Sequence, residues 1–147
     1  MVMENKKSTD ELKKILKSSK TYNDFLEKEK EELIFTSISE FIKIEMTAKG
    51  IKATELIRRS NLDKGYVYQI LRGARKSPSR DAVLSLAFGL MLNSAETDKM
   101  LRIAEYDALY IRRPRDGIIM HCLDRGVSLT DTNIMLSEKG LEPIGKF

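Results

Sequence analysis

The stretch Ala53-Thr54-Glu55-Leu56-Ile57-Arg58-Arg59-Ser60-Asn61-Leu62-Asp63-Lys64-Gly65-Tyr66-Val67-Tyr68-Gln69-Ile70-Leu71-Arg72-Gly73 decides how the chain is read. Ala53 to Ser60 form a short helix with Leu56 and Ile57 inward, and Asn61-Leu62 form a turn. Asp63 is a residue type that accepts from the first unpaired N–H groups of a helix, so a second helix is expected from there to about Arg72, ended by Gly73. Two helices joined by so short a turn hold one angle only when small and apolar side chains fill their crossing. Leu56, Ile57, Leu62, Val67 and Ile70 supply that crossing. Lys64, Tyr68, Gln69 and Arg72 are then left pointing away from the core. Tyr66, two residues from Tyr68, faces another way on a helix and is expected in or near the core.

Charge is concentrated around this stretch. Lys49 to Arg80 hold nine basic residues and two acidic ones, while the rest of the chain holds 17 basic and 20 acidic. A net charge of +4 is modest, but its gathering in one segment is the footprint of a surface that binds polyanions.

Outward from the stretch, helical spacing continues. Ile38, Phe41, Ile42 and Met46 define a helix from about Ser37 to Lys49 with Gly50 as its stop. Ser77-Pro78-Ser79 offer capping residues for another helix that turns Val83, Leu84, Leu86, Ala87 and Leu90 inward. Near the start, residues 1–8 are expected to be disordered. Leu12, Ile15 and Leu16 mark an amphipathic helix from Thr9, and Thr21 or Asn23 starts one carrying Phe25 and Leu26. The run Glu27 to Glu32 reads as an exposed helical face or linker.

Beyond Leu92 the sequence repeats. A shift of 35 positions lays Arg80-Asp81 on Arg115-Asp116, Val83-Leu84 on Ile118-Ile119, Asn93 on Ser128, and Glu96-Thr97-Asp98 on Asp131-Thr132-Asn133. The same shift lays Met100-Leu101 on Met135-Leu136 and Leu109 on Ile144. Two copies of a helical hairpin are expected, each second helix opening with a cap and an acid three residues on. The organisation that follows is an N-terminal helical arm over 1–35, a helix-turn-helix domain over 36–92, and a C-terminal helical extension over 93–147.

Length and composition agree with an all-α fold. At 147 residues, with 41% apolar residues and few Pro or Gly, one core with a helical extension is expected. The single Cys122 cannot form an internal disulfide, and the first residues lack the apolar run of a secretory signal, so a reducing cytoplasmic setting is expected. The longest nearly uncharged apolar run, Ala82 to Leu92, is too short to cross a bilayer.

The segment from Ile38 to Leu92 resembles the phage-repressor (Cro-like, Xre) helix-turn-helix family. The likeness rests on Thr54-Glu55-Leu56-Ile57-Arg58-Arg59-Ser60, on Asp63-Lys64-Gly65-Tyr66-Val67-Tyr68-Gln69-Ile70, on Arg72-Gly73 and on Lys76-Ser77-Pro78-Ser79. It implies a lambda-repressor-like helix-turn-helix bundle that binds double-stranded DNA, as a transcriptional regulator and a homodimer on paired half-sites. By position, Lys64 and Gln69 fall where relatives touch bases, with Tyr68 beside them. Glutamine bonds adenine N6 and N7 in two-pronged fashion. Gly65, at another such place, has no side chain to read with. Arg72, Arg75, Lys76 and Arg80 would grip the phosphate backbone, which fixes register without reading sequence.

Other chemistry is not indicated. His121 and Cys122 are adjacent on one helix, where their side chains diverge, and one of each cannot build a structural zinc site. His121 is expected at the edge of the core. No phosphate-cradling glycine loop or nucleophile elbow is present, so neither enzyme activity, metal nor cofactor is expected. Arg58 and Arg59 read as a solvated face, and Glu55 as the partner of a nearby arginine. Arg112-Arg113-Pro114-Arg115 form a second basic cluster that either extends the phosphate grip or is a solvated loop. Met91, Met100, Met120 and Met135 read mostly as core. The rival reading is a protein-interaction module whose C-terminal helices hold a partner such as a toxin or signalling enzyme.

Overall fold

The computed structural model describes residues 7–33 and 37–145. Among them are nine α-helices and no strand: α1 Thr9–Ser18, α2 Tyr22–Glu29, α3 Ile38–Lys49, α4 Ala53–Ser60, α5 Lys64–Leu71, α6 Arg80–Gly89, α7 Ser94–Ile103, α8 Pro114–Asp124 and α9 Leu129–Glu138. The fold is all-α. No helix among the described residues is long and apolar enough to cross a membrane. Of the opening segment expected to be disordered, residues 1–6 lie outside the described residues, whereas Ser8 caps α1 in a reciprocal box with Glu11. Seven helices begin at a side-chain cap, from Ser8, Thr21, Ser37, Asp63, Ser79, Asn93 and Ser128. Each cap satisfies an N–H that the helix itself leaves unpaired.

Helix α6 is the axis of the packing. Every residue from Ala82 to Gly89 is buried, and α4, α7 and α9 all pack against it. One hydrophobic cluster runs from Ile38 to Ile144 and takes residues from both sides of position 92. Met100 belongs to it and Met120 and Met135 pack against it, whereas Met91 stands out in solvent at 61% exposure. Phe25 and Leu26 of α2 are buried too, so the arm is packed on the body.

The 35-residue repeat is visible in backbone and side chains alike. Displacing α6 and α7 by 35 gives α8 and α9, with Pro114 as one extra residue at the start of α8. Thr97 Oγ1 donates to the carbonyl of Asn93 at 2.8 Å, and Thr132 Oγ1 to that of Ser128 at 2.8 Å. Leu109 N–H donates to Asp98 at 2.9 Å, and Ile144 N–H to Asn133 at 2.7 Å. Between the copies the bonds are reciprocal. Arg80 donates to Asp116 at 3.0 Å while Arg115 donates to Asp81 at 3.1 Å. Tyr110 N–H also reaches Asp116, and Gly145 N–H reaches Asp81. A contact in which each residue meets the equivalent of its own partner is the mark of two-fold, isologous pairing rather than head-to-tail stacking. The hairpins therefore pair like the two subunits of a dimer inside one chain.

A second electrostatic knot fastens the arm. Lys30, in the 3₁₀ turn after α2, donates to Glu96 at 2.6 Å and lies 3.4 Å from Glu45. Lys49 stands 3.6 Å from Glu45 and 3.5 Å from Glu96. The expectation of an exposed run from Glu27 to Glu32 holds at Glu27 and Lys28 and fails at Glu29 and Lys30. Glu29 is buried and pairs with Lys7, and Lys30 is mostly covered, because their partners lie on elements far away in sequence. Burial pushes the Glu45 carboxyl above its ordinary range, and Lys30 and Lys49 only partly offset that. Burial acts on Glu96 as well, yet Lys30, the Asn93 N–H and Lys49 outweigh it and hold that carboxyl below its ordinary range.

Two outcomes follow from these pairs. Asp116 is buried and accepts from both Arg80 and a backbone N–H, so Asp116→Ala should cost about 3 kcal/mol in chemical denaturation. Asp81→Ala, at a more open site, should cost about 1 kcal/mol. Equal losses would contradict the burial difference. For the knot, a lowered carboxyl stabilises above its unfolded value and loses that stabilisation as pH falls through its folded value; a raised one behaves oppositely. The stability deficit of Glu96→Gln should therefore shrink as pH is lowered from 7 to about 4, and that of Glu45→Gln should grow over the same interval. Thermal unfolding at stepped pH reads both signs.

Candidate nucleic-acid interface

The position of α5 is set from beneath. Leu56 of α4 rests on α6 at Gly89, where an added Cβ would stand 2.6 Å from Leu56 Cδ1 and 3.0 Å from the Leu56 carbonyl oxygen. A side chain there would force Leu56 to shift. Ser60 and Leu62 are buried where α4 leaves off, Asn61 turns the chain through φ 57°, and Asp63 opens α5 by accepting from the Gly65 N–H. Val67 and Ile70 face the core at zero exposure. Ser39 of α3 donates to the Leu71 carbonyl at 2.7 Å and closes the other end of α5.

What remains outside is the face expected from sequence. Lys64 and Arg72 are exposed, Tyr68 is 37% exposed and Gln69 is half-buried. The chain then folds back on α5, because the N–H groups of Ala74 and Arg75 both donate to the Gln69 carbonyl, at 2.8 and 3.1 Å. That return places Arg75 Nε 3.2 Å from Gln69 Oε1 and its guanidinium 4.7 Å from the centre of the Tyr66 ring. Tyr66 is half-buried against the core, and burial, only partly offset by Arg75, raises its hydroxyl above the ordinary range. Tyr106 holds the loop from the other side by donating to the Pro78 carbonyl at 2.8 Å. A shallow groove of about 660 Å³ runs between α5 and this loop, lined by Gly65, Tyr66, Gln69, Arg75 and Ser77 among others. Lys64, Arg72, Arg75 and Lys76 form no salt bridge with a described carboxylate, and Asp63 is an exposed acid lining the same groove.

Arg80 is set apart from them. Its guanidinium spans both carboxylate oxygens of Asp116, at 3.4 and 3.0 Å. The basic segment also overcounts in other places. Lys49 belongs to the knot with Glu45 and Glu96, and Arg59 bonds Glu55 across one helical turn at 3.3 Å, as expected of that glutamate. Of the second basic cluster, Arg115 is taken by Asp81, while Arg112 and Arg113 are exposed. His121 lies on the exposed side of α8 with Arg125 donating to its Nδ1 at 3.3 Å, whereas Cys122 is buried. It is thus not a core-edge residue, since neighbours on a helix are 100° apart. The Gln69–Arg75 bond has no trace in sequence pattern; only the glycine that reverses the chain at position 73 hints at it.

Comparison of the chain with protein-family models, with curated proteins and with solved structures yields no match.

Because the Gly89 contact sets the placement of α4, Gly89→Ala should destabilise the protein by about 2 kcal/mol or more. At Gly117 of α8 a Cβ would meet the Ile111 carbonyl at 3.5 Å and its Cδ1 at 3.9 Å, both ordinary contacts. Gly117→Ala should be neutral or slightly stabilising, since alanine favours the helix by up to about 1 kcal/mol. Equal effects in chemical denaturation would contradict this account of the crossing.

Proposed function

We propose that this chain binds double-stranded DNA, as a sequence-selective transcriptional regulator of the phage-repressor helix-turn-helix kind. The observation that carries the reading is the two-sidedness of α5. Val67 and Ile70 on its inner face are buried, and its outer face presents Lys64, Tyr68, Gln69 and Arg72, continued by Arg75 and Lys76, with no described carboxylate paired to any of these cations. An exposed helix about 10 Å across fits the major groove, where lysine and glutamine read base edges. Arg72 and Lys76, at its end and just beyond, suit phosphates on the groove's rim.

The Gln69–Arg75 bond refines the roles. With Oε1 held by arginine, the Gln69 amide is oriented before contact, and its NH₂ donors are left for a base. Arg75 then positions the reading residue as well as contributing charge. Arg80, engaged by Asp116, is left out of the phosphate grip. Binding as a homodimer on paired half-sites is part of the proposal. The surface that joins the two hairpins is covered within one chain, so a second copy docks elsewhere.

Fluorescence anisotropy with a selected duplex tests the reading. Affinity should fall steeply with salt, and Lys76→Ala should weaken all sequences alike and reduce the salt slope by about one unit. Gln69→Ala should relax preference at one base pair by about 1 kcal/mol. Arg75→Ala should do part of both, non-additively with Gln69→Ala, and Arg80→Ala should leave the slope unchanged. No retention of any duplex at roughly 50 mM salt would overturn the proposal.

A further inference from the structure

Where the turns of the two hairpins come together, the fold leaves a cavity of about 530 Å³, within the range of small-molecule sites. Its walls follow the repeat. Phe88 and Leu123, Met91 and Gly126, and Leu92 and Val127 line it as pairs 35 residues apart. The end of α4 supplies a third side through Arg58, Arg59 and Asn61.

Two departures from the symmetry say what it is for. Gly126 adopts φ 69°, a conformation natural to glycine, whereas its counterpart Met91 is held at φ 57°. The Met91 and Leu92 N–H groups donate to the Phe88 and Ala87 carbonyls, so this is the left-handed turn that closes α6, and Glu105 closes α7 in the same way opposite Gly140. Met91 is 61% exposed, so the core does not require it. Methionine is the flexible apolar residue that moulds itself to varied ligands.

Charge is the second departure. The lining contains two arginines and no carboxylate. Arg59 is held by Glu55, but Arg58 is exposed and makes no salt bridge with a described residue. A part-apolar cavity, with Asn61, Ser128 and Thr130 beside its apolar walls and the Arg58 guanidinium available, complements a ligand with an apolar body and a planar anionic head, which arginine binds through two parallel hydrogen bonds.

We propose that this cavity is a binding site for a medium-chain carboxylate. The alkyl chain lies against Val127 and the exposed edges of Phe88 and Leu123 with Met91 folded over it, and the carboxylate meets Arg58. The site does not depend on DNA binding, and its failure would leave that reading untouched.

Decanoate is the probe, used on the full chain below its micellar concentration. Calorimetry should show saturable one-site binding, and ¹³C-methyl NMR should shift Met91 and Val127. Decyltrimethylammonium, with the same chain and opposite charge, should not bind at this site. Arg58→Gln, a change at an exposed position, should weaken decanoate roughly tenfold. Absence of saturable binding, methyl shifts confined to other parts of the protein, or decanoate binding undiminished in Arg58→Gln would each overturn the proposal.

Discussion

The crossing of α4 on α6 at Gly89 is the contact on which the remaining architecture depends. An added Cβ on Gly89 would press on Leu56 and Ser60, so α4 lies close upon the central helix. From that seat the chain has three residues, Asn61 to Asp63, before α5 begins. Little freedom is left for α5, and the burial of Val67 and Ile70 removes the rest. The exposed cationic face is thus a consequence of core packing transmitted through one short turn.

The duplicated hairpin supports the same seat. Helix α6 is buried on all its sides, which a helix in a bundle this small achieves only when neighbours surround it. The second hairpin, through α9 and the reciprocal arginine–aspartate pairs, provides part of that cover. Partly buried ion pairs contribute little net stability against apolar replacements, but a mismatched pairing would strand a charge. Two crossed pairs in two-fold relation therefore select one docking geometry. The knot of Lys30, Glu45, Lys49 and Glu96 does the same for the N-terminal arm.

Much of this was legible in sequence because it is local. Caps such as Asp63 and Ser79, the stop at Gly50 and the apolar spacing of α3 to α6 are decided by neighbours within a turn or two, and these helix limits agree with the structure to within a residue or so. The 35-residue shift likewise marked out α8 and α9. Pairings over long separations were not legible. Arg80 has the same type and setting as Arg75 and Lys76, and only folding shows that Asp116, 36 residues away, holds it. Glu29 and Lys30 read as solvated for the same reason. Met91 read as core by composition, yet its place in a left-handed turn turns it outward. The bond between Gln69 and Arg75 depends on how the chain reverses after Gly73, which spacing alone does not specify.

On the proposed function, α5 and the loop after it form the surface that meets DNA. Amide NMR of the full chain, titrated at low salt with a duplex carrying a selected site, places the contact directly. Shifts should cluster at Lys64, Tyr68, Gln69, Arg72, Arg75 and Lys76, leaving the outer surface of α9 undisturbed. Shifts centred on α8 and α9, with α5 unchanged at saturation, would contradict it.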